Sequence, residues 1–271
     1  MFIYQTYNQS QTFVPNENAS VSVTKSQMQL PKGFTANDIT YKEDGKGAMK
    51  IGTFIKIENT GTVELACRDN HRDFTFNGIT DEYNREGKTV VAQVAAAFSR
   101  AWTTPLGQTA ENGKDVKYSM TQDNGQPVDW TGVVAINKDG KIQMYNLNDI
   151  VGKDAFFNSL KEDGCSYFLQ KRVLWNGEET KKFNDTGGNQ LRFIVKMQDG
   201  TCGLVDFDKS TTIDQAALLL KKMGVQQAVY LDVGPAVGTG FIYQQNGVPK
   251  PIGERTPSES SYTTKLLLIS K

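Results

Sequence analysis

The stretches 191-LRFIVKMQDGTCGLVDF-207, 212-TIDQAALLLKKMG-224 and 228-AVYLDVG-234 decide the fold of this chain. They predict two β-strands joined by the Asp199-Gly200 turn, then an amphipathic helix, then a third strand. The third strand ends on Asp232, beside a glycine-containing turn. A buried strand fixes such a carboxylate in place and the turn leaves room for a ligand, so this part of the chain also predicts a site.

Capping signals and apolar faces predict two helices. The helix over 213–223 follows Thr212, which forms a capping-box pattern with Gln215. Its leucines face a core, and nothing in it suggests catalysis. A second helix is predicted over 149–160, with Asp149 as its cap.

Further strands are predicted from apolar alternation. Residues 51–67 have the pattern of a β-hairpin around a turn at 59–61, and residues 130–145 have the same pattern. Residues 89–98 are almost continuously apolar, which is typical of a strand buried on both faces, although their alanine content also allows a helix. Residues 167–175 predict one more strand.

The block around Arg192 resembles the phosphodiester glycosidase family. Domains of that family run from an arginine-containing strand through a second strand and a helix to a Leu-Asp-Gly-Gly-Gly-Ser loop, and Asp232 falls at the loop aspartate. Residues 90–114 are similar to the family's strand and turns around Asn-Gly-Gly-Phe-Phe, and residues 246–269 to its closing loop and strand. The resemblance covers the chain from Thr62 onward. It implies an α+β fold, with a mixed, twisted β-sheet and a few packed helices.

Two segments depart from the pattern of the family. The chain has 95-AAAFS-99 where the family has Asn-Gly-Gly-Phe-Phe, and 232-DVGPA-236 where it has Asp-Gly-Gly-Gly-Ser. The first change removes a side-chain amide that could donate and accept hydrogen bonds. The second removes a hydroxyl and two glycines, which reach positive φ most easily. We therefore expect weak or absent hydrolase activity on this fold.

The resemblance implies three catalytic residues, Asp232, Arg192 and Asp206. An arginine grips a phosphodiester through two N–H donors at once. Asp232 would act as nucleophile or acid/base at the anomeric carbon, where glycosidases use a pair of carboxylates, and Asp206 or Asp208 would be the second carboxylate. The alternative reading is that Arg192 and Asp232 form a buried structural ion pair, or that Asp232 caps a turn.

Six residues are predicted to bind the ligand: Phe98, Ser99, Trp102, Thr104, Gly234 and Thr239. Trp102 could stack on the apolar side of a sugar ring, although a tryptophan in such a place is more often a core residue. The polar loop over 181–190 comes directly before Arg192. It is a candidate lid, or else an ordinary connection between strands.

Length and charge restrict the class of protein. The 271 residues predict one core domain over 51–271, preceded by an extended arm or small β-appendage over 1–50 that offers a surface for protein partners. The 30 basic and 30 acidic residues balance, which argues against nucleic acid as a partner. No run of about 20 apolar residues predicts membrane insertion. No export signal is recognised, so we expect a mature secreted protein or a virion-associated one.

The sequence predicts no metal and no cofactor. The three cysteines, Cys67, Cys165 and Cys202, are widely separated and have the distribution of small buried apolar residues. His71 has no second histidine at ligand spacing and lies in a polar stretch. We therefore expect His71 to be a surface loop residue rather than a catalytic base.

Two classes of function follow. The first is a phosphodiester glycosidase-like enzyme that hydrolyses a sugar–phosphate linkage of a glycoconjugate. The second is a non-catalytic glycan-binding or structural module, for example a phage virion component. Both take a carbohydrate or sugar-phosphate ligand. Ala95 and Pro235 favour the second class, because they replace groups of the family motifs.

Overall fold

The computed structural model describes residues 12–100, 103–183, 185, 190–233, 240–243, 249–251 and 263–271. Within them lie three α-helices, α1 (Phe76–Arg85), α2 (Lys153–Glu162) and α3 (Ile213–Lys222), and two short 3-10 turns, Arg68–Asn70 and Leu147–Asp149. The strands in chain order are β1 (Ser20–Lys25), β2 (Phe34–Lys42), β3 (Met49–Ile57), β4 (Thr62–Cys67), β5 (Thr89–Ala95), β6 (Ser99–Arg100), β7 (Thr104–Pro105), β8 (Thr109–Glu111), β9 (Lys114–Asp115), β10 (Gly132–Ile136), β11 (Ile142–Asn146), β12 (Ser166–Gln170), β13 (Arg172–Trp175), β14 (Glu178–Glu179), β15 (Arg192–Met197), β16 (Cys202–Phe207), β17 (Val225–Leu231), β18 (Gly240–Tyr243), β19 (Pro249–Pro251) and β20 (Thr264–Ser270).

These strands form three main sheets. The large sheet has the order β1-β2-β3-β16-β15-β17-β13-β14, the middle sheet β11-β10-β12-β8-β9 and the terminal sheet β19-β18-β5-β20-β4, while β6 and β7 pair separately. All ladders between the named strands are antiparallel, and an isolated bridge between Leu106 and Ser119 is parallel. The predicted α+β class is confirmed, and the expected mixed sheet is a set of antiparallel sheets.

Each main sheet carries one helix on its outer face. Helix α3 packs on the large sheet, α2 on the middle sheet and α1 on the terminal sheet. The inner faces of all three sheets meet in a shared core, where Ile194 of the large sheet, Phe168 of the middle sheet and Leu266 of the terminal sheet belong to one buried cluster. Burial of this apolar surface is the main force that holds the sheets together.

Helix α3 forms as its sequence predicts. The Thr212 hydroxyl accepts a hydrogen bond from the Gln215 backbone N–H at 3.2 Å, and Gln215 Oε1 accepts one from the Thr212 N–H at 3.0 Å, which confirms the capping box. The chain leaves the helix at Gly224, whose φ of +81° favours glycine. Leu219 and Leu220 are buried against the large sheet, whereas Leu218 is half-buried.

The hairpin predicted over 51–67 is wrong. Strand β3 pairs with β2 and β16 in the large sheet, whereas β4 pairs with β20 in the terminal sheet. The turn at 59–61 therefore passes the chain from one sheet to another. Each strand has partners distant in sequence, which local alternation cannot reveal. The hairpin over 130–145 is confirmed as the β10–β11 pair.

Three other elements refine the sequence interpretation. The strand predicted over 167–175 is two strands, β12 in the middle sheet and β13 in the large sheet, with Lys171 between them. Helix α2 begins at Lys153 rather than near Asp149, because Gly152 at φ +73° interrupts the helical backbone. The run over 89–98 forms strand β5 rather than a helix.

The N-terminal strands continue the large sheet. Strand β2 pairs with β3 along almost its whole length, and β1 pairs with β2 at the sheet edge. Further toward the N-terminus, the Phe13 N–H donates to the Ser210 carbonyl at 2.7 Å. The domain boundary at residue 50 stays a prediction. Among the described residues, no helix combines the length and apolar character needed to cross a membrane.

Candidate functional site

The large and terminal sheets are joined at the point where strand β17 ends. The Asp232 backbone N–H, one residue beyond β17, donates to the Ala96 carbonyl at 3.1 Å, just beyond the end of β5. The Ala97 N–H in turn donates to Thr264 Oγ1 at 2.9 Å, at the start of β20. We call these four residues the junction. It places the Ala95–Ser99 segment beside Asp232, as the sequence predicts.

Arg192 and Asp206 face each other at this end of the large sheet. They are register partners on β15 and β16, and Arg192 Nε donates to Asp206 Oδ2 at 2.6 Å. Their side chains are 0 % and 1 % exposed. On its other side Arg192 is the register partner of Leu231, the residue before Asp232. The three predicted catalytic residues therefore lie at the same end of three adjacent strands.

The backbone around Asp206 is closely packed. Gly52 on β3 pairs with Phe207, and a Cβ atom at Gly52 would collide with the Asp206 carbonyl oxygen. Only glycine allows β3 and β16 to approach this closely. This contact fixes the position from which the Asp206 side chain reaches Arg192.

The other two carboxylates of this region are also buried. Asp232 is 7 % exposed and Asp208 is 4 % exposed. The Asp208 N–H donates to the Ile51 carbonyl at 2.8 Å, and its own carbonyl accepts from Gln190 Nε2 at 2.7 Å. Three aspartates, Asp206, Asp208 and Asp232, are thus held at one sheet end, and Asp206 pairs with Arg192 there.

Aromatic rings pack against Tyr230 of β17, close to Asp232. Phe98 makes edge-to-face contacts with Tyr230 at 5.2 Å and with Trp130 at 5.3 Å between ring centroids. Ser99 Oγ lies 2.9 Å from Thr263 Oγ1. The structure thus brings two of the predicted ligand-binding residues, Phe98 and Ser99, near the junction.

Of the other four residues predicted to bind the ligand, the structure describes only Thr104. Thr104 is half-buried and pairs with Arg100 in the two-stranded β6–β7 sheet. Trp102, Gly234 and Thr239 lie outside the described residues.

The described part of the 181–190 loop is tied to the start of α3. The Phe183 N–H donates to Asp214 Oδ1 at 2.9 Å. The Ile213 N–H donates to the Asp185 carboxylate, at 3.1 and 3.0 Å from its two oxygens. A carboxylate at a helix N-terminus is favourable because it meets the positive end of the helix dipole. Residues 184 and 186–189 lie outside the described residues, and a lid function stays a prediction.

A cavity that the sequence interpretation missed opens beside Phe98 and Trp130. Its volume is ≈ 220 Å³, and its lining includes Lys171, Arg172 and Lys181. The sequence signal was the pair Lys171-Arg172 inside an otherwise apolar run, which marks the break between β12 and β13. Burial lowers the pKa of Lys171, and the charge of nearby Lys181 lowers it further. Asp129 and Asp185 act in the opposite direction, but the pKa stays below its ordinary value.

His71 is not the surface loop residue that the sequence predicts. Its side chain is 7 % exposed and lies between two carboxylates, with Nδ1 2.9 Å from Glu82 and Nε2 3.1 Å from Glu111. Glu111 also accepts from the Cys67 N–H at 3.1 Å. Burial alone would lower the pKa of His71, but the hydrogen bonds and charges of Glu111 and Glu82 raise it above its ordinary value. The local sequence gave no signal, because Glu82 and Glu111 come from α1 and β8.

Comparison with known proteins finds no matching family model and no matching curated protein. Solved structures do match. The catalytic domain of zebrafish N-acetylglucosamine-1-phosphodiester alpha-N-acetylglucosaminidase, auto-inhibited by its pro-peptide, aligns with a TM-score of 0.58 and 15 % identity, over 94 % of this chain and 88 % of that chain. A protein from Synechocystis aligns with a TM-score of 0.55 and 10 % identity, over 93 % and 68 %. A protein from Burkholderia pseudomallei aligns with a TM-score of 0.52 and 10 % identity, over 98 % and 100 %.

The likeness is one of fold. The architecture implied by the sequence resemblance is present along almost the whole chain. At such low identity, a shared fold carries no site chemistry from one protein to another.

Proposed function

We propose that this protein binds a sugar–phosphate linkage of a glycoconjugate on a phosphodiester glycosidase-like fold, with weak or absent hydrolysis. The fold likeness supports the ligand class, because the zebrafish enzyme is named for a sugar phosphodiester. The observation that carries the expectation of little turnover is the buried Arg192–Asp206 pair, which lies on β15 and β16 beside the junction. This pair limits what Arg192 and Asp206 can each do to a substrate.

Arg192 is poorly placed to grip a substrate. To hold a phosphodiester, a guanidinium presents two N–H groups to the phosphate oxygens. Here Nε donates to Asp206, and the side chain is shielded from solvent. Opening this pair to admit a phosphate would separate two buried charges, which is costly.

Asp206 is equally unsuited to act as the second carboxylate. A glycosidase carboxylate must reach the anomeric carbon, the leaving oxygen or a water molecule. The Asp206 side chain instead meets Arg192 in the interior, and strand β15 separates its own strand from β17. Asp232 would then act without this partner.

The Ala95–Ser99 segment contributes to the junction mainly through its backbone. Ala96 accepts from the Asp232 N–H, and the Ala97 N–H donates to Thr264. Alanine side chains cannot replace the amide that the family motif has at this place. Loss of one donor to the transition state costs roughly 10²–10³-fold in rate, so several losses leave little turnover.

The buried Arg192–Asp206 pair also favours the second class of function, a non-catalytic glycan-binding or structural module. Such a module needs a recognition surface, and it does not need an accessible acid/base pair. Phe98 at the junction supplies an aromatic ring, and aromatic rings suit the apolar faces of sugars. The weakly active glycosidase-like protein and the non-catalytic module differ only in their residual rate of hydrolysis.

The test is an assay of the purified chain with an activated α-N-acetylglucosaminyl phosphodiester. We expect release of the leaving group close to the uncatalysed rate, and no change in the Asp232→Asn variant. Asp199→Asn, in an exposed turn, is the matched control for an aspartate substitution. Rapid release that Asp232→Asn abolishes and Asp199→Asn preserves would overturn the proposal and establish an enzyme.

A further inference from the structure

The cavity between the middle and large sheets carries more positive than negative charge. Lys171, Arg172 and Lys181 line it together with one carboxylate, Asp129. Among the described residues, no carboxylate lies within 4.0 Å of the charged nitrogen atoms of these three cations. Neighbouring Lys182, by contrast, is paired with Glu179. The wall of the cavity therefore has an excess of positive charge that no ion pair within the described part of the chain neutralises.

Lys171 is held in place from several sides. Its carbonyl accepts from the Tyr230 N–H at 3.0 Å, which ties it to β17. Its ammonium group lies 5.2 Å from the centroid of Phe98 and 5.8 Å from that of Trp130. Two aromatic rings attract the cation and restrict its position. The partial burial that lowers the pKa of Lys171 means that a bound anion would stabilise its charged form.

Arg172, which also lines the cavity, is held in place by two contacts. Its Nε donates to Thr131 Oγ1 at 2.9 Å, and its guanidinium lies 5.4 Å from the ring centroid of Trp175. Nε is one of five N–H donors of an arginine, so this hydrogen bond orients the group without using all of them. A planar guanidinium held in this way suits phosphate oxygen atoms.

We propose that this cavity binds the dianionic phosphomonoester group of a small ligand such as a sugar phosphate. Three cations and one carboxylate line the cavity, an excess of two positive charges in its wall, while Asp185 and Asp149 act on Lys171 and Arg172 from farther away. This wall matches a phosphomonoester better than a singly charged phosphodiester. At ≈ 220 Å³, the cavity is smaller than the roughly 300–1,000 Å³ of drug-sized sites, which restricts the ligand to a phosphate and a small attached group. Asp129 would accept a hydrogen bond from a ligand hydroxyl and disfavour larger polyanions.

This site adjoins the junction, because Lys171 Nζ lies 5.2 Å from the centroid of Phe98, but its ligand differs from the one proposed at the junction. The ligand there is a phosphodiester linkage beside Asp232, whereas the cavity selects the charge of a monoester. Each proposal can therefore fail without the other. Loss of diester binding would leave the cavity untouched, and loss of the cavity site would leave the junction untouched.

The test is calorimetric titration of the full chain at about pH 7.5, where a phosphomonoester is close to fully dianionic because its second pKa is about 6. The ligands are glucose 6-phosphate, inorganic phosphate, glucose and a methyl glucosyl phosphodiester. The variants are Lys171→Gln and Lys181→Gln. The matched control is Lys182→Gln, which removes an adjacent lysine that is paired with Glu179 and does not line the cavity.

We expect glucose 6-phosphate to bind, and each of Lys171→Gln and Lys181→Gln to weaken it about tenfold, the usual effect of losing one charge-assisted hydrogen bond. Lys182→Gln should bind like the wild type, and glucose should bind at least tenfold more weakly. Diester that binds at the junction should be unaffected by Lys171→Gln and Lys181→Gln. Lys181 is exposed, so its variant reports on binding even if Lys171→Gln disturbs the fold.

Inorganic phosphate that binds as tightly, with the same dependence on the two lysines, would support a dianion site and show that the sugar adds nothing. Three results would overturn the proposal. They are the absence of binding by either phosphate, binding that neither Lys171→Gln nor Lys181→Gln weakens, and diester binding that equals monoester binding and is weakened by the same two variants.

Discussion

Arg192 Nε and Asp206 Oδ2 lie 2.6 Å apart on neighbouring strands, and both side chains are closed off from solvent. The pair links β15 to β16 at the sheet end where β17 delivers Asp232. Its burial means that each charge depends on its protein surroundings for stabilisation. The pair is therefore central to stability at the place where the sequence predicts catalysis.

Breaking this pair should destabilise the fold strongly. Asp206→Asn keeps the volume of the side chain but removes the charge that faces Arg192, and we expect a loss of about 3–5 kcal/mol in the free energy of unfolding, measured by urea denaturation. The control is Glu178→Gln, which removes the partner of Lys221 in a pair whose side chains are 34 % and 77 % exposed. An exposed pair contributes about 0–1 kcal/mol. Equal effects of the two substitutions would contradict a structural role for Arg192–Asp206.

The close approach of β3 and β16 should make Gly52 intolerant of a side chain. Gly52→Ala places a methyl group against the Asp206 carbonyl oxygen, and we expect a loss of about 1–3 kcal/mol from overpacking. At Gly47 an added Cβ meets nothing within 4 Å, so Gly47→Ala serves as the matched control. Thermal unfolding monitored by circular dichroism separates the two. A Gly52→Ala protein as stable as Gly47→Ala would show that the strands can move apart freely.

The capping box of α3 should contribute measurably to stability. Thr212→Ala removes the hydroxyl that accepts from the Gln215 N–H, and loss of such a cap costs about 0.5–2 kcal/mol. Thr212→Ser keeps the hydroxyl and should unfold close to the wild type in urea. The idea fails if serine and alanine at this position are equally destabilising.

His71 should make stability depend on pH. Its folded pKa is raised above the ordinary value of 6.5 by Glu111 and Glu82, which outweigh the opposite effect of burial. The resulting stabilisation is fully present below the unfolded pKa and is lost as the pH rises through the folded pKa. His71→Gln should therefore cost most near about pH 6 and progressively less at higher pH.

The protonation of His71 can be observed directly. It is the only histidine in the chain, so its ring signals in a proton NMR titration are unambiguous. We expect a midpoint above 6.5, and a lower midpoint in the Glu111→Gln variant. A midpoint at or below 6.5 in the wild type would show that burial prevails over the two carboxylates.

Local signals predicted the elements whose stabilising contacts are local. Helix α3 follows from Thr212, Gln215 and Gly224, and the β10–β11 hairpin follows from its turn. The pairing of β4 could not be read in this way. Its Thr62 Oγ1 donates to the Ile269 carbonyl, 207 residues away. Helix α1 was missed because its apolar positions, Phe76, Ile79 and Tyr83, are interspersed with residues of low helix propensity.

The candidate site was predictable in its position but not in its contacts. A strand order of β16, β15 and β17 brings Asp206, Arg192 and Asp232 to one end, and sequence succession suggested as much. The ion pair between Arg192 and Asp206 depends on the register of β15 and β16, which the sequence does not specify. Lys171 lines a cavity only because the chain leaves one sheet for another beside it.

The most direct test of a binding role with little turnover is phosphorus NMR of the purified protein with the methyl phosphodiester of α-N-acetylglucosamine. One sample then reports both processes, because binding broadens the diester signal and hydrolysis creates a signal of methyl phosphate. We predict a broadened diester signal and no methyl phosphate above the protein-free control. Steady growth of the methyl phosphate signal, abolished by Asp232→Asn, would contradict this account, and so would a diester signal that the protein leaves sharp.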